Sequence, residues 1–162
     1  MEFGSEKCKY LAITRKNNIV DSTYTLKGSQ IMSVTTEKDL GVHVSTKLSW
    51  NNHIDVIISK ANMMLGMIKR TCTNKCDQKT LIILYKSIVQ SQLEYAPQVW
   101  SPYTKEKISA LEHVQRHATK FILKTDLSYP ERLVKLKPWK VQSVRSCCST
   151  NVSDKLRSWW RI

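Results

Sequence analysis

The chain has 162 residues and a mass of 18.8 kDa, the size of one ordinary domain with a single hydrophobic core. No stretch approaches the ~18 apolar residues that a membrane span needs, and no charged and apolar leader opens the sequence, so we expect neither an integral membrane protein nor a secreted one. The net charge of +13 points instead to an anionic partner, usually a nucleic acid or an acidic membrane face.

The positive charge is distributed unevenly along the chain. Residues 105–162 carry 13 basic and 5 acidic side chains, whereas residues 1–50 carry 7 and 5 and residues 51–104 carry 6 and 3. We therefore expect a polyanion to bind the C-terminal third.

The five cysteines are an odd number, and no export signal accompanies them. A disulfide framework is therefore not expected, and reduced thiols indicate an intracellular protein. The sequence leaves the nucleus and the cytoplasm both open.

Residues 1–50 show the short patterns typical of β-strands. Residues 9–14 read as one strand, and residues 23–26 and 30–34 read as two more on either side of a short turn. Residues 40–45 alternate apolar and polar side chains, as a half-buried strand does. The sequence predicts short antiparallel strands, too few to close a sheet without a larger layer.

After Trp50 the apolar side chains recur with the period of a helix. The first predicted helix begins at Asn51 or Asn52, either of which can cap it. The second has Asp77 as its N-cap and ends before Pro97, because proline disfavours helix in the residue that precedes it. A third helix begins at Thr104.

Short loops between these helices predict a small antiparallel bundle. A short fourth helix is expected within residues 126–136, and Gly66 is expected to allow close helix packing. The predicted fold is α+β, with strands in residues 1–50, helices in residues 51–136, and a basic tail at residues 137–162 that is poorly ordered or weakly docked. The predicted core positions are Ile54, Ile57, Ile58, Ala61, Leu65, Ile68, Leu81, Leu84, Tyr85, Ile88, Leu93 (or Gln92), Ile108, Leu111, Val114, Ala118 and Ile122.

Three cations of the third helix form a candidate binding row. Arg116, Lys120 and Lys124 are spaced at i, i+4 and i+8, which places them on one face, with only Glu112 to offset them. Such a row either faces solvent or follows a phosphate backbone.

Metal-binding and catalytic patterns are weak. Cys72, Cys76, His113 and His117 could be combined into a zinc site, but zinc knuckles have tighter cysteine pairs and a nearer histidine pair. Solvated helix residues and an ordinary pair of thiols are the better interpretation. No catalytic residues are predicted, because no nucleophile–base constellation occurs.

A series of short motifs runs through residues 3–136. None of them is specific alone, but in their order and spacing they resemble the reverse transcriptase of non-LTR (LINE-type) retrotransposons. In chain order they are Phe3, Lys7-Cys8, Leu40-Gly41-Val42, Leu48-Ser49-Trp50, His53-Ile54, Lys60-Ala61, Leu65-Gly66, Tyr85, Val89, Leu93-Glu94-Tyr95-Ala96, Val99-Trp100, Pro102, residues 111–116 and Tyr129-Pro130-Glu131-Arg132-Leu133.

The resemblance implies the end of a polymerase palm followed by its thumb. Leu40, Gly41 and Val42 would then lie in the primer-grip strand, and residues 51–136 would form the thumb. The family is an RNA-directed DNA polymerase that uses Mg²⁺ and binds a template–primer of RNA or DNA. After Lys137-Pro138 the family's continuation is missing, which suggests a truncated element.

The family's Ala-Asp-Asp signature does not occur in this sequence. Two-metal nucleotidyl transfer needs paired carboxylates, so we expect no polymerase activity from the chain alone and no cofactor of its own. One hypothesis is a reverse-transcriptase fragment that binds a template–primer without sequence preference, through Arg116, Lys120 and Lys124. The alternative is a small basic helical interaction protein with neither enzymatic nor nucleic-acid function.

Overall fold

The structure is a computed structural model that describes residues 8–14, 23–72 and 76–136. The basic tail predicted at residues 137–162 and the motif residue Phe3 lie outside the described residues.

The chain divides into two compact units, Met1–His53 and Ile54–Ile162. All strands of the described residues lie in the first unit, and the second unit is helical. The predicted α+β fold with a helical C-terminal region is therefore confirmed. Within the described ranges, no helix is long and apolar enough to cross a membrane.

The described strands of the first unit are short and associate in pairs. They are β1 (Lys9–Tyr10), β2 (Thr25–Leu26), β3 (Ser29–Gln30), β4 (Met32–Ser33), β5 (Thr36–Asp39) and β6 (Val42–Ser45). β2 pairs with β3 and β5 with β6 in antiparallel hairpins, whereas β1 pairs with β4 in parallel. The sequence predicted antiparallel pairing throughout. A parallel pair needs a long connection, and the connection from β1 to β4 contains the β2–β3 hairpin.

The strand predicted over residues 40–45 begins only at Val42. Asp39 lies opposite Val42, so Leu40 and Gly41 form the two-residue turn of the β5–β6 hairpin. Their φ angles of 45° and 89° are both positive, as in a type I′ turn, whose twist matches that of the flanking strands. The prediction of a strand at Leu40 and Gly41 is therefore wrong.

The described helices are α1 (Asn51–Cys72), α2 (Gln78–Leu84), α3 (Ser91–Leu93), α4 (Pro97–Trp100), α5 (Lys105–Leu123) and α6 (Tyr129–Leu136). A π-helical segment, Tyr85–Gln90, joins α2 to α3 without a break. Asp77 is the N-cap of α2 as predicted, because its carboxylate accepts a hydrogen bond from the Thr80 N–H at 3.4 Å. α5 begins directly after Thr104, which also agrees with the sequence.

The predicted second helix ends at Leu93, before Pro97. The sequence did not predict that Pro97 begins a further short helix, α4. Proline suits the first position of a helix because its missing N–H would have no intrahelical partner there. Ala96, which precedes Pro97, has a left-handed backbone with a φ of 48°. Trp100 is buried in α4, and its indole N–H donates to the Tyr95 carbonyl at 2.7 Å.

The core of the helical unit follows the predicted period closely. α5 packs against α2 and α6, and most of the predicted positions are buried. Ile58, Leu84, Ile88 and Ile108 are only half-buried. The buried apolar residues of the described part are Ile54, Ile57, Ala61, Leu65, Ile68, Cys72, Leu81, Ile82, Tyr85, Val89, Leu93, Trp100, Leu111, Val114, Ala118, Ile122 and Leu136, with Val42 in the first unit.

Gly66 does not serve close helix packing, contrary to the sequence prediction. A Cβ placed on Gly66 would meet no atom within 4 Å, and the residue lies within the regular helix α1. Gly28 also has nothing within 4 Å of such a Cβ, but its φ is +81°. Both glycines thus have room for a Cβ, and they differ only in backbone conformation.

We therefore expect Gly66→Ala and Gly28→Ala to have opposite effects. Alanine at Gly66 should raise the free energy of unfolding by about 1 kcal/mol, because glycine has the greater backbone entropy to lose. Alanine at Gly28 should destabilise the β2–β3 hairpin by about 1 kcal/mol, because its Cβ opposes a left-handed backbone. Denaturant unfolding followed by helical circular dichroism tests the first, and amide exchange at residues 25–30 tests the second. A loss of stability in Gly66→Ala would mean that another surface covers this position.

Candidate nucleic-acid interface

The exposed side of α5 carries two of the three predicted cations, Arg116 and Lys120. Leu111, Val114 and Ala118 are buried on the opposite side of this helix, at relative exposures of 0–1%. Arg116 and Lys120 consequently face solvent. The described residues include no ion pair of Lys120.

Arg116 is held by contacts within the helical unit. Its guanidinium lies 3.6 Å from the carboxylate of Glu112, which is only 4% exposed, and 5.0 Å from the ring centroid of Tyr129 on α6. Arg132 of α6 also lies over the Tyr129 ring, and its guanidinium donates to the Arg116 carbonyl at 3.4 Å. Arg116 is thus part of the contact between α5 and α6, and its charge is balanced by a nearly buried carboxylate.

Lys124 does not continue the helical row, contrary to the prediction. α5 ends at Leu123, and Lys124 follows it with φ 47° and ψ 35°, its N–H donating to the Lys120 carbonyl. Relative to a helical residue, this φ rotates the Cα–Cβ bond about N–Cα by roughly 110°. Glycine is the usual residue at such a left-handed helix end, so the sequence carried no stop signal here.

Two histidines also lie on the exposed side of α5. His113 and His117 are one turn apart, and their ring centroids are separated by 4.2 Å at an interplanar angle of 54°. Both side chains are exposed. Since residues 113, 117 and 120 are spaced at i, i+4 and i+7, Lys120 shares their face.

A lysine of α1 joins this face. The Lys69 ammonium lies 5.8 Å from the ring centroid of Phe121, one turn after His117. The pKa of His117 is lowered from its ordinary value, first by partial loss of hydration and then by His113, Lys69 and Lys120. We call Lys69, His113, His117 and Lys120 the α1–α5 cationic cluster.

Sequence reasoning found only one member of this cluster, Lys120. It treated His113 and His117 as solvated residues or zinc ligands, although their spacing to Lys120 already placed them on one helix face. Lys69 had no such signal, because its approach to α5 depends on tertiary packing.

The predicted primer-grip residues do not share one surface. Leu40 is 84% exposed in the β5–β6 turn, whereas Val42 is 6% exposed at the start of β6. Gly41 lies between them in the turn. The three are contiguous in sequence but only Val42 belongs to a strand.

The described residues offer no site that fits a metal ion. No three side chains of His, Cys, Asp or Glu in these ranges lie close enough together to hold one. Cys72 and Cys76 contact each other, and this hydrogen bond is the main cause that raises the pKa of Cys76. They are not joined by His113 and His117 in a Cys₂His₂ site.

The carboxylates of the helical unit serve other contacts than a paired-metal centre. Asp55 forms an ion pair with Lys107 at 2.6 Å, and Asp77 caps α2. These residues do not fit the Mg²⁺ pair that the resemblance implies for the family. Comparisons with protein-family models, with curated proteins and with solved structures each gave no significant match to this chain.

The β5–β6 turn allows a direct test of what Leu40 contributes. Asparagine tolerates the left-handed conformation of a type I′ turn better than leucine, and the exposed leucine side chain loses little burial when replaced. Leu40→Asn should therefore stabilise the hairpin by roughly 1 kcal/mol, measured as slower amide exchange at residues 36–45. Faster exchange would show that the Leu40 side chain is covered by another part of the protein or by a partner.

Proposed function

We propose that this chain corresponds to the end of the palm and the thumb of a non-LTR retrotransposon reverse transcriptase, and that it binds the phosphate backbone of a template–primer duplex without sequence preference. The observation that carries the proposal is the α1–α5 cationic cluster, to which two helices contribute. The excess of basic side chains in residues 105–162 supports the same conclusion. The motif series in residues 3–136 supports the family assignment.

Contacts between lysines and phosphates suit a protein that must bind a duplex at many positions along its length. Lys69 and Lys120 approach from different helices, and both lie close enough to His117 to lower its pKa. Cations that neutralise phosphates release condensed counterions, which gives affinity that depends steeply on salt. Phosphate contacts position a protein on nucleic acid but do not read its sequence.

The structure shows that the three predicted cations, Arg116, Lys120 and Lys124, are not equally available to a phosphate. Lys120 is exposed, and no described carboxylate forms an ion pair with it. Arg116 already interacts with Glu112 and Tyr129, so a phosphate would have to compete with contacts inside the unit. Lys124 follows the last residue of α5 and has a left-handed backbone, so its Cα–Cβ bond does not point in the direction that a helical residue would give it. We therefore assign the main role on α5 to Lys120, next to Lys69 of α1.

The isolated chain should not extend a primer. The family's paired aspartates are absent from this sequence, and the carboxylates of the described part do not form a two-metal site. Primer extension on a homopolymer template with Mg²⁺ or Mn²⁺ and purified protein measures this directly. Extension above a control without protein would contradict the assignment to the palm end and thumb.

The decisive measurement is the salt dependence of duplex binding. Replacing Lys69 and Lys120 together by glutamine keeps helix propensity and side-chain length while two charges are removed. On a duplex of about 20 base pairs, the slope of log affinity against log salt should fall by about 1.8, since each phosphate contact contributes roughly 0.9. Fluorescence anisotropy at several salt concentrations gives this slope.

The matched control removes the same charge from the strand unit. Lys38 and Lys47 are exposed, and their double replacement by glutamine should change the slope much less. Equal losses in both double variants would mean that binding reflects overall charge and that no docking face exists.

Arg116→Gln should lower the thermal unfolding temperature more than Lys38→Gln or Lys47→Gln does. The reason is that it removes the ion pair of the nearly buried Glu112 carboxylate.

One observation favours the alternative, a basic helical interaction protein. Met63 and Met67 lie one turn apart on α1 and are 60% and 41% exposed. Methionine adapts to varied partners and is common at protein-binding surfaces. Under this alternative, duplex binding should survive neither modest salt nor competition by RNA.

A further inference from the structure

The two neighbouring histidines give the α1–α5 cationic cluster a titratable charge, which lysines alone would not provide. His113 and His117 are exposed, one turn apart, and separated by 4.2 Å between ring centroids. Imidazole is the side chain whose charge changes between pH 5 and pH 8. The charge of this surface is therefore not fixed at neutral pH.

Within the described part of the chain, the titratable groups that lower the pKa of His117 are all basic. They are Lys69 from α1, and His113 and Lys120 from α5 itself. Helices α2 and α6 also pack against α5, and none of these three groups belongs to them. The carboxylate of Glu112, on another side of α5, is paired with Arg116.

We propose that His113 and His117 couple phosphate-backbone binding at this cluster to the uptake of a proton, so that the affinity for nucleic acid rises as the pH falls. This inference rests on the proposed function and adds a regulation to the same surface. The ligand class is a polyphosphate backbone, whose oxygens accept hydrogen bonds from imidazolium.

The physical reason is a difference in electrostatic surroundings between the free and bound states. In the free protein, partial burial and then the neighbouring basic groups hold the pKa of His117 below its ordinary value, which favours the neutral ring. A phosphate close to the pair would replace repulsion by attraction and raise this pKa.

The sign of the pH dependence follows from this shift. A histidine with a higher pKa in the bound state adds its full contribution to affinity below the pKa of the free protein. That contribution is lost as the pH rises through the pKa of the complex. A shift of about one pKa unit corresponds to about a tenfold change in affinity.

The experiment uses the full chain and a duplex of about 20 base pairs with arbitrary sequence, at constant ionic strength. Between about pH 8 and about pH 5.5, the affinity of the wild-type protein should rise about tenfold. The double variant His113→Gln/His117→Gln should bind with little change over this range. The single variant His43→Gln removes a histidine of the strand unit and should keep the wild-type pH dependence. Circular dichroism at both pH values establishes that each variant is folded.

A second measurement reports on the histidines themselves. Nuclear magnetic resonance titration of the imidazole protons should give a higher pKa for His117 with the duplex than without it. Duplex binding with an unchanged His117 pKa, or the same pH dependence in the double variant, would overturn this inference and leave the proposed function standing. Absence of salt-dependent duplex binding at both pH values would overturn the two together.

Discussion

The packing of α5 determines which charged side chains of the helical unit can meet a partner. Leu111 and Ala118 are fully buried, and this apolar side fixes the rotation of the helix about its axis. His113, His117 and Lys120 must then face solvent, whatever their chemistry. The binding surface proposed for this protein is thus a consequence of hydrophobic burial on the other side of the same helix. A change in the packing of α5 would redirect all three side chains together.

The helical part of the fold was predictable because its signals are local. Asp77 as N-cap follows from a short-range hydrogen-bonding rule and was predicted correctly. The start of α5 after Thr104 was also predicted, although the Thr104 side chain makes no capping hydrogen bond. The strands were harder, since β5 has the sequence Thr-Glu-Lys-Asp and shows no apolar alternation. Without this partner strand, Leu40 and Gly41 read as part of the next strand. Only the pairing of β5 with β6 places them in the turn.

The candidate site was predictable only within one helix. Spacing along α5 identified Lys120, and could also have identified His117, because helical period reports which residues share a face. Period does not report which faces of two helices lie side by side, so Lys69 of α1 was missed. Nor does it report competing contacts, such as the Glu112 carboxylate beside Arg116. Charge patterning therefore gave the correct helix and an incomplete set of residues.

The α1–α5 cationic cluster contains histidines as well as lysines, and this limits the repulsion between its positive charges in the free protein. A compact protein with a net charge of +13 is destabilised by its own repulsion, and a surface of lysines alone would add to that repulsion in the absence of a ligand. Histidine at position 117 reduces this effect, because partial burial and the neighbouring basic groups lower its pKa and favour the neutral ring. Under the proposed function, a bound phosphate backbone would reverse this balance and favour the protonated ring. The proximity that lowers the charge of the free surface would then raise it in the complex, so the ligand would determine how basic the surface becomes.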